Sequence, residues 1–159
     1  MSLRIESDDD WEFVVGLYAS TRADELAPVP WPVQAKADFL RSQCELQRDH
    51  YRKYYPGANF LIIERNGVPI GRFYVHETAS EIRLMDIALA HGERGKGIGI
   101  PLIVKLLESA QTRGMVVTLH VEPDNPAQRM YARLGFRFIE ERGAYHFLRW
   151  DPAEGQTSA

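Results

Sequence analysis

The 159-residue sequence has one cysteine, no excess of basic residues and no apolar run long enough to cross a membrane. The single cysteine, Cys44, excludes an intramolecular disulfide framework and a cysteine-rich zinc site. Lys and Arg number 19 against 22 Asp and Glu, which is not the basic excess typical of nucleic-acid-binding proteins. The first ten residues lack the apolar stretch of a signal peptide. We therefore expect a soluble, cytoplasmic protein that binds neither nucleic acid nor a membrane.

Metal binding is not indicated either, because His50, His76, His91 and His146 show no metal-ligand spacing. The length is that of one domain with a full core, which we place at residues 1–151. Residues 152–159 are small and polar, and we expect a disordered tail there. Apolar periodicity and turn signals, such as Asn66-Gly67 between two apolar runs, predict the order β-α-α-β-β-β-α-β-α-β-β.

The most informative stretch lies between an apolar strand, Ile82 to Ala90, and an amphipathic helix that follows Gly99. A loop of this kind presents unpaired N–H groups and the positive end of a helix dipole to an anion. Three glycines in the loop allow positive φ and close backbone approach, and two cations add charge: Gly95, Gly97, Gly99, Arg94 and Lys96. These features predict a pyrophosphate site. The third glycine of the dinucleotide fingerprint is missing, and a nucleotide P-loop is absent.

The six residues from Arg94 to Gly99 resemble the acyl-CoA motif R/Q-x-x-G-x-G/A of the GNAT superfamily of N-acyltransferases. A second resemblance follows it in the order that this family shows, Leu119-His120-Val121-Glu122, Asn125-Pro126-Ala127, Tyr131 and Leu134-Gly135-Phe136. The predicted element order is similar to that of the family along nearly the whole chain. The resemblance implies a mixed α/β fold, with a mostly antiparallel central sheet of about seven strands, a splayed parallel pair and four flanking helices.

The resemblance also implies a binding site for acetyl-CoA. Backbone groups of Ile87, Ala88 and Leu89 would pair with the pantetheine arm, and the pyrophosphate would lie on the loop formed by Arg94, Gly95, Lys96, Gly97, Ile98 and Gly99. Asn125 and Ala127 would contact the cofactor, and Tyr131 would protonate the departing thiolate. Asn125 precedes Tyr131 by six residues where seven is the commoner spacing, so Asp124 is an alternative to Asn125.

The resemblance implies His120 as a candidate general base, at a strand position where some members of the family resemble one another in carrying His or Glu. Imidazole titrates near neutral pH, which suits removal of a proton from an amine through a water molecule. Other polar side chains on the two flanking strands leave the choice of base open, namely Glu81, Arg83, Asp86 and Glu122.

The resulting expectation is an N-acetyltransferase that moves an acetyl group from acetyl-CoA to a primary amine by direct attack. One alternative is a catalytically silent acyl-CoA-binding regulatory module, which would bind CoA without releasing thiol. Another is an interaction protein that has kept the fold and lost the cofactor. The acceptor is a small-molecule or peptide amine that the sequence does not identify. The acyl chain length and the oligomeric state, a homodimer included, are also open.

Overall fold

The computed structural model describes residues 1–154. Within them the chain forms seven strands and four α-helices in the predicted order. The elements are β1 (Ser2–Ile5), α1 (Trp11–Leu26), α2 (Val33–Tyr54), β2 (Asn59–Arg65), β3 (Val68–Glu77), β4 (Glu81–Leu89), α3 (Gly99–Arg113), β5 (Val116–Val121), α4 (Ala127–Arg133), β6 (Arg137–Arg142) and β7 (Tyr145–Trp150). Short 3-10 helices precede α1, at Asp8–Asp10, and follow β4, at His91–Glu93.

The strands form a seven-stranded sheet in the order β1-β2-β3-β4-β5-β7-β6. The pairs β1/β2, β5/β7 and β6/β7 are antiparallel, whereas β4 and β5 are parallel. The parallel register runs from Glu81 opposite Val116 to Leu84 opposite Leu119, and it stops there although β4 continues to Leu89. The predicted mixed α/β fold, with a largely antiparallel sheet and four helices, is confirmed.

The first of two compact units consists of Met1–Tyr74 and Asp86–Lys96. Its core joins α1, α2 and β2 through five buried residues, Val14, Val15, Tyr18, Cys44 and Ile62. The start of α1 is held by Asp10, whose carboxylate accepts the Ser7 N–H at 2.8 Å and two Arg4 N–H bonds at 2.7 Å each. Between β2 and β3, Asn66 and Gly67 have φ of 53° and 78°, as the hairpin turn predicted for this dipeptide requires.

The second unit consists of Val75–Met85 and the chain from Gly97 onward. Its apolar core is formed by buried residues of four elements, Ile82, Leu84, Ile103, Leu107, Val117, Leu119 and Leu148. Gly114 ends α3 in the left-handed conformation, at φ 67°. After β7, the Gln111 side chain exchanges two hydrogen bonds with the backbone of Ala153, at 2.8 and 3.0 Å. The rest of the predicted disordered tail, residues 155–159, lies outside the described residues.

Candidate functional site

The loop between β4 and α3 has the backbone that its glycines predict, with one exception. Gly95 and Gly97 have φ of 74° and 72°, in the left-handed region that favours glycine. Gly99 is already the first residue of α3, so the prediction of positive φ there is wrong. The helix begins one residue before Ile100, and its N-cap residue, Ile98, directly follows the second left-handed glycine, Gly97.

The same loop leaves room and donors for an anion. A Cβ built at Gly95 or Gly97 would meet no atom within 4 Å. Among residues 1–154, no protein group accepts a hydrogen bond from the backbone N–H groups of residues 95–99. The first N–H groups of a helix have no partner within the helix, and they carry the positive end of its dipole. These residues therefore fit the pyrophosphate of a nucleotide cofactor.

The two cations of the loop have protein partners. The Arg94 guanidinium donates to the Leu89 carbonyl oxygen and to Ser20 Oγ, each at 3.2 Å. Lys96 Nζ lies 3.8 Å from a Glu93 carboxylate oxygen that also accepts a 2.7 Å bond from Arg65. Arg94 thus fastens the loop to the end of β4, and Glu93 offsets part of the charge of Lys96.

The end of β4, where Ile87, Ala88 and Leu89 are expected to pair with pantetheine, is in close contact with β3. The Ala90 N–H donates to the Ile70 carbonyl oxygen at 2.8 Å. A Cβ added at Gly71 would lie 2.4 Å from the Ala88 carbonyl oxygen, so only glycine allows this approach. No role for Gly71 was predicted from the sequence, although a glycine inside a strand pattern is a known signal of close backbone approach.

On the second unit, a polar cluster joins the paired ends of β4 and β5. Arg83 Nε donates to Thr118 Oγ1 at 2.7 Å, and an Arg83 N–H lies 3.1 Å from the Glu81 carboxylate. The Thr118 hydroxyl donates to the same carboxylate of Glu81. Thr118 is only 3% exposed, so the cluster satisfies a hydroxyl that burial would otherwise leave without a partner. Two members of the cluster, Arg83 and Glu81, are among the polar side chains that leave the choice of base open in the sequence.

His120 lies two residues after Thr118 and therefore on the same face of β5. Its half-buried ring is 5.2 Å from the Phe147 ring and 6.5 Å from the Tyr145 ring, between centroids. Arg142 stacks on Phe147 with its guanidinium carbon 3.6 Å from the ring centroid. The fully buried Val117 and Leu119 alternate with this face and belong to the apolar core. The imidazole is thus on the face of β5 opposite this core, and its role as a base stays a prediction.

The charges around His120 favour its neutral form. Burial lowers the pKa of His120 below its usual 6.5, and the nearby positive charges of Arg83 and Arg142 lower it further. Burial opposes ionisation of Glu81 as well, but the hydrogen bond from Thr118 and the charge of Arg83 outweigh it and lower the pKa of that carboxyl. At pH 7 the imidazole is therefore neutral and able to accept a proton, beside an ionised Glu81.

The remaining predicted residues lie in or near α4. Asn125 Oδ1 accepts the Ala127 N–H at 2.8 Å, and Asn125 Nδ2 donates to Glu122 at 3.2 Å. Asn125 therefore caps the start of α4, and its amide and the Ala127 N–H are both engaged within the chain. Tyr131 is 6% exposed and packs edge-to-face against Phe136 with ring centroids 5.5 Å apart.

Two of the other acids considered as bases are also paired. Asp86 accepts a hydrogen bond from Arg72, and Glu122 accepts the amide bond from Asn125. Within residues 1–154, no group of three or more His, Cys, Asp or Glu side chains could hold a metal ion. No helix in this part of the chain combines the length and apolar character needed to span a membrane.

Comparison with known proteins identifies the family. The acetyltransferase (GNAT) family profile matches residues 20–136, which is more than half of the chain. The chain belongs to this family. Its members use acetyl-CoA, and the suspected resemblance of the sequence is confirmed.

Individual relatives agree with this assignment. Over 72 residues the chain is 36% identical to a mycothiol acetyltransferase of Corynebacterium aurimucosum, a match that covers 44% of this chain and 24% of that protein. The chain thus spans about a quarter of the length of that curated relative. The fold is similar to that of the PaiA N-acetyltransferase from Thermoplasma acidophilum, solved in complex with coenzyme A, with a TM-score of 0.69, 17% identity and coverage of 94% and 98% of the two chains.

A further solved structure, described as histone acetyltransferase HPA2 and related acetyltransferase, comes from Corynebacterium glutamicum. It has a TM-score of 0.67 and 19% identity and covers 98% of both chains. At these identities the two structures establish the fold, which is that of acetyltransferases.

Proposed function

We propose that this chain is an N-acetyltransferase that moves an acetyl group from acetyl-CoA to a primary amine by direct attack. The observation that carries the proposal is the loop at residues 94–99. In a chain of the GNAT family, it combines two left-handed glycines, open space above them and N–H groups without protein acceptors. Acetyl-CoA would supply the acetyl group already activated as a thioester.

Different residues of the chain bind different parts of this cofactor. The N–H groups from Gly95 to Gly99 hold the pyrophosphate, and Lys96 contributes a charge that Glu93 partly offsets. Arg94 acts on the loop itself through its bonds to Leu89 and Ser20. Backbone groups of Ile87 to Leu89 pair with the pantetheine arm. Asn125 positions the start of α4, and with Ala127 it borders the cofactor.

Proton transfer is assigned to two side chains of the second unit. Amines are largely protonated at neutral pH, so a base must remove a proton before attack. A neutral imidazole with a lowered pKa accepts that proton at His120 Nδ1 or Nε2 through a water molecule. Tyr131 donates its phenolic proton to the leaving thiolate, because a phenol with a pKa of about 10 and a thiol with a pKa of about 8.5 are closely matched.

The proposal also specifies which acyl group is transferred, an acetyl group, and which kind of acceptor receives it, an amine. The partial match to a mycothiol acetyltransferase supports acetyl transfer over transfer of longer acyl groups. We propose a small-molecule or peptide amine as acceptor. A cytoplasmic location and a homodimer stay predictions.

The proposal is tested by following thiol release from acetyl-CoA with a panel of small amines, amino acids and peptides, and by identifying the acetylated product by mass spectrometry. Propionyl-CoA and butyryl-CoA serve as controls for acyl length. We expect amine-dependent thiol release that is fastest with acetyl-CoA. Tight CoA binding without release for any amine would favour the silent regulatory module. The absence of a thermal shift with acetyl-CoA would contradict the proposal at its first step.

A further inference from the structure

A cavity lies within the first unit, and none of its lining residues has been assigned a functional role above. It is lined by residues from the end of β1 to β3, which are Glu6, Trp11, Val14, Cys44, Gln47, Arg48, Tyr51, Arg52, Phe60, Arg72 and Tyr74. Its empty volume is about 330 Å³, including space open to solvent. Only about 30 Å³ of it is free for the centres of water-sized groups, room for about two waters, so the cavity suits a ligand of no more than a few heavy atoms.

Arg72 is the most unusual residue of the cavity, because its charged side chain is only 4% exposed. One of its terminal nitrogens donates to Gln47 Oε1 at 2.8 Å and to Asp86. The guanidinium carbon lies 4.8 Å from the centroid of the Tyr74 ring. Its Nε, however, is buried without a hydrogen-bond partner. A buried N–H without an acceptor is unfavourable, so a group from outside the chain is expected to accept it.

The rest of the lining offers more donors than acceptors. Arg48 stacks on Trp11, with its guanidinium carbon 4.3 Å from the ring centroid, and its Nε is also buried without a hydrogen bond. Asp49, 67% exposed, is 3.6 Å from that nitrogen, which is too far for a hydrogen bond. Gln47 already uses its carbonyl oxygen on Arg72, so its amide N–H₂ remains. A ligand for this lining must therefore be rich in acceptors.

We propose that the cavity is a binding site for a small carboxylate, whose oxygens accept hydrogen bonds from the guanidinium groups of Arg72 and Arg48. Arginine donors match the planar, paired oxygens of a carboxylate. A doubly charged phosphate is disfavoured, because Glu6 lines the same cavity and accepts a hydrogen bond from the Tyr74 hydroxyl.

The carboxylate has two chemical sources. It is either a carboxyl group of the acceptor amine, in which case the assignment rests on the proposed function, or a separate small acid that acts as an effector. Arg72 links either ligand to the cofactor segment, because its partner Asp86 directly precedes Ile87 on β4. A ligand that binds Arg72 therefore affects its ion pair with Asp86, and through it the strand expected to pair with pantetheine.

The direct test titrates sodium formate and sodium acetate into the full chain and follows the arginine Nε–H signals by NMR, with sodium chloride at equal ionic strength as the control. For ligands of this size we expect a Kd of about 1 mM. Arg48→Gln should weaken binding about tenfold or more, because a charged hydrogen-bond donor is removed. Arg41→Gln is the matched control, since Arg41 lies on the same helix and pairs with Glu12 outside the cavity. Arg72→Lys keeps a cation for Asp86 but lacks the Nε–H, and it should weaken binding similarly.

Shifts of the Arg48 and Arg72 Nε–H signals that saturate with formate, and not with chloride, support the site. The proposal is overturned if these signals do not respond, which would mean that water alone satisfies the two nitrogens. It is also overturned if Arg48→Gln binds formate as tightly as the parent. These readouts need no catalysis, so they stand even if acetyl transfer is not observed, and they remain decisive if Arg72→Lys does not fold.

Kinetics then identify the source. Formate that competes with glycine as acceptor, but leaves glycinamide unaffected, assigns the cavity to the acceptor's carboxyl group. Formate that changes turnover of both amines assigns it to an effector.

Discussion

The pKa of His120 can be moved without touching the imidazole, by removing the charge of Arg142. The Arg142 guanidinium carbon lies 3.6 Å from the Phe147 centroid, and that centroid lies 5.2 Å from the His120 centroid. Arg142 and His120 are therefore at most about 9 Å apart, and two unit charges at that distance interact by about 0.5 kcal/mol in water and about 2 kcal/mol at an effective dielectric of 20. Either energy opposes the charged form of the imidazole and therefore lowers its pKa.

Arg142→Gln should raise the pKa of His120, because the protonated imidazole no longer faces this positive charge. Since the Arg142 side chain is 43% exposed, solvent screens the interaction, and we expect a rise that reflects the lower part of this energy range. The measurement is an NMR titration of the His120 ring proton, assigned with His120→Gln. If His120 is the base, the rising limb of kcat/KM against pH should move upward by the same amount.

Arg137→Gln is the matched control. Arg142 pairs with the Glu140 carboxylate, and Arg137 on the same strand pairs with the partly exposed carboxylate of Asp151. An unchanged His120 pKa in Arg142→Gln, or an equal rise in Arg137→Gln, would refute the electrostatic account. A shifted NMR pKa with an unchanged rate profile would instead remove His120 from the role of base.

Two further predictions concern residues in different parts of the fold. Tyr131→Phe should lower kcat by about 100-fold and leave acetyl-CoA affinity nearly unchanged, because the ring that packs on Phe136 stays; near-normal turnover in a steady-state assay would reduce Tyr131 to packing. The hydrogen bond from Arg4 holds the pKa of Asp10 at about 2, below its usual 3.8, so its stabilisation is present above pH 4 and is lost as the pH falls toward 2. Asp10→Asn should therefore unfold more easily in urea at pH 7, by about 1–2 kcal/mol, with a difference that narrows in acid, and a constant difference would contradict this linkage.

The parts of the fold that sequence reasoning predicted are those set by local patterns. Asn66-Gly67 requires a turn with two positive φ angles, and the structure has both. The loop between β4 and α3 and the apolar face of α3 were likewise predictable, because both are set by residues close together in sequence. Gly99 was placed wrongly because a glycine next to a helix can either end a turn or begin the helix, and local sequence does not separate the two.

In the candidate site, only features that depend on residues close together in sequence could be recognised in advance. Asn125 followed by Pro126 is a common start of a helix. The preference of Asn for helix N-caps is therefore enough to predict that its side chain accepts the Ala127 N–H. Arg142 and the cavity gave no such signal. Arg142 reaches the surroundings of His120 because β6 pairs with β7, and the buried Nε of Arg72 follows from contacts with Gln47 and Asp86, which are distant in sequence.

The central claim is that the loop at residues 94–99 binds the cofactor pyrophosphate, and calorimetric titration of acetyl-CoA into Gly97→Val tests it most directly. The control is Gly57→Val, because Gly57 has a similar φ of 80° and an equally open surrounding at the end of α2. Both variants therefore carry comparable backbone strain, which circular dichroism and thermal unfolding should show. We predict that Gly97→Val loses at least about tenfold in acetyl-CoA affinity, because a branched side chain occupies the approach to the N–H groups, whereas Gly57→Val binds like the parent. A folded Gly97→Val that binds acetyl-CoA as tightly as Gly57→Val would contradict the account.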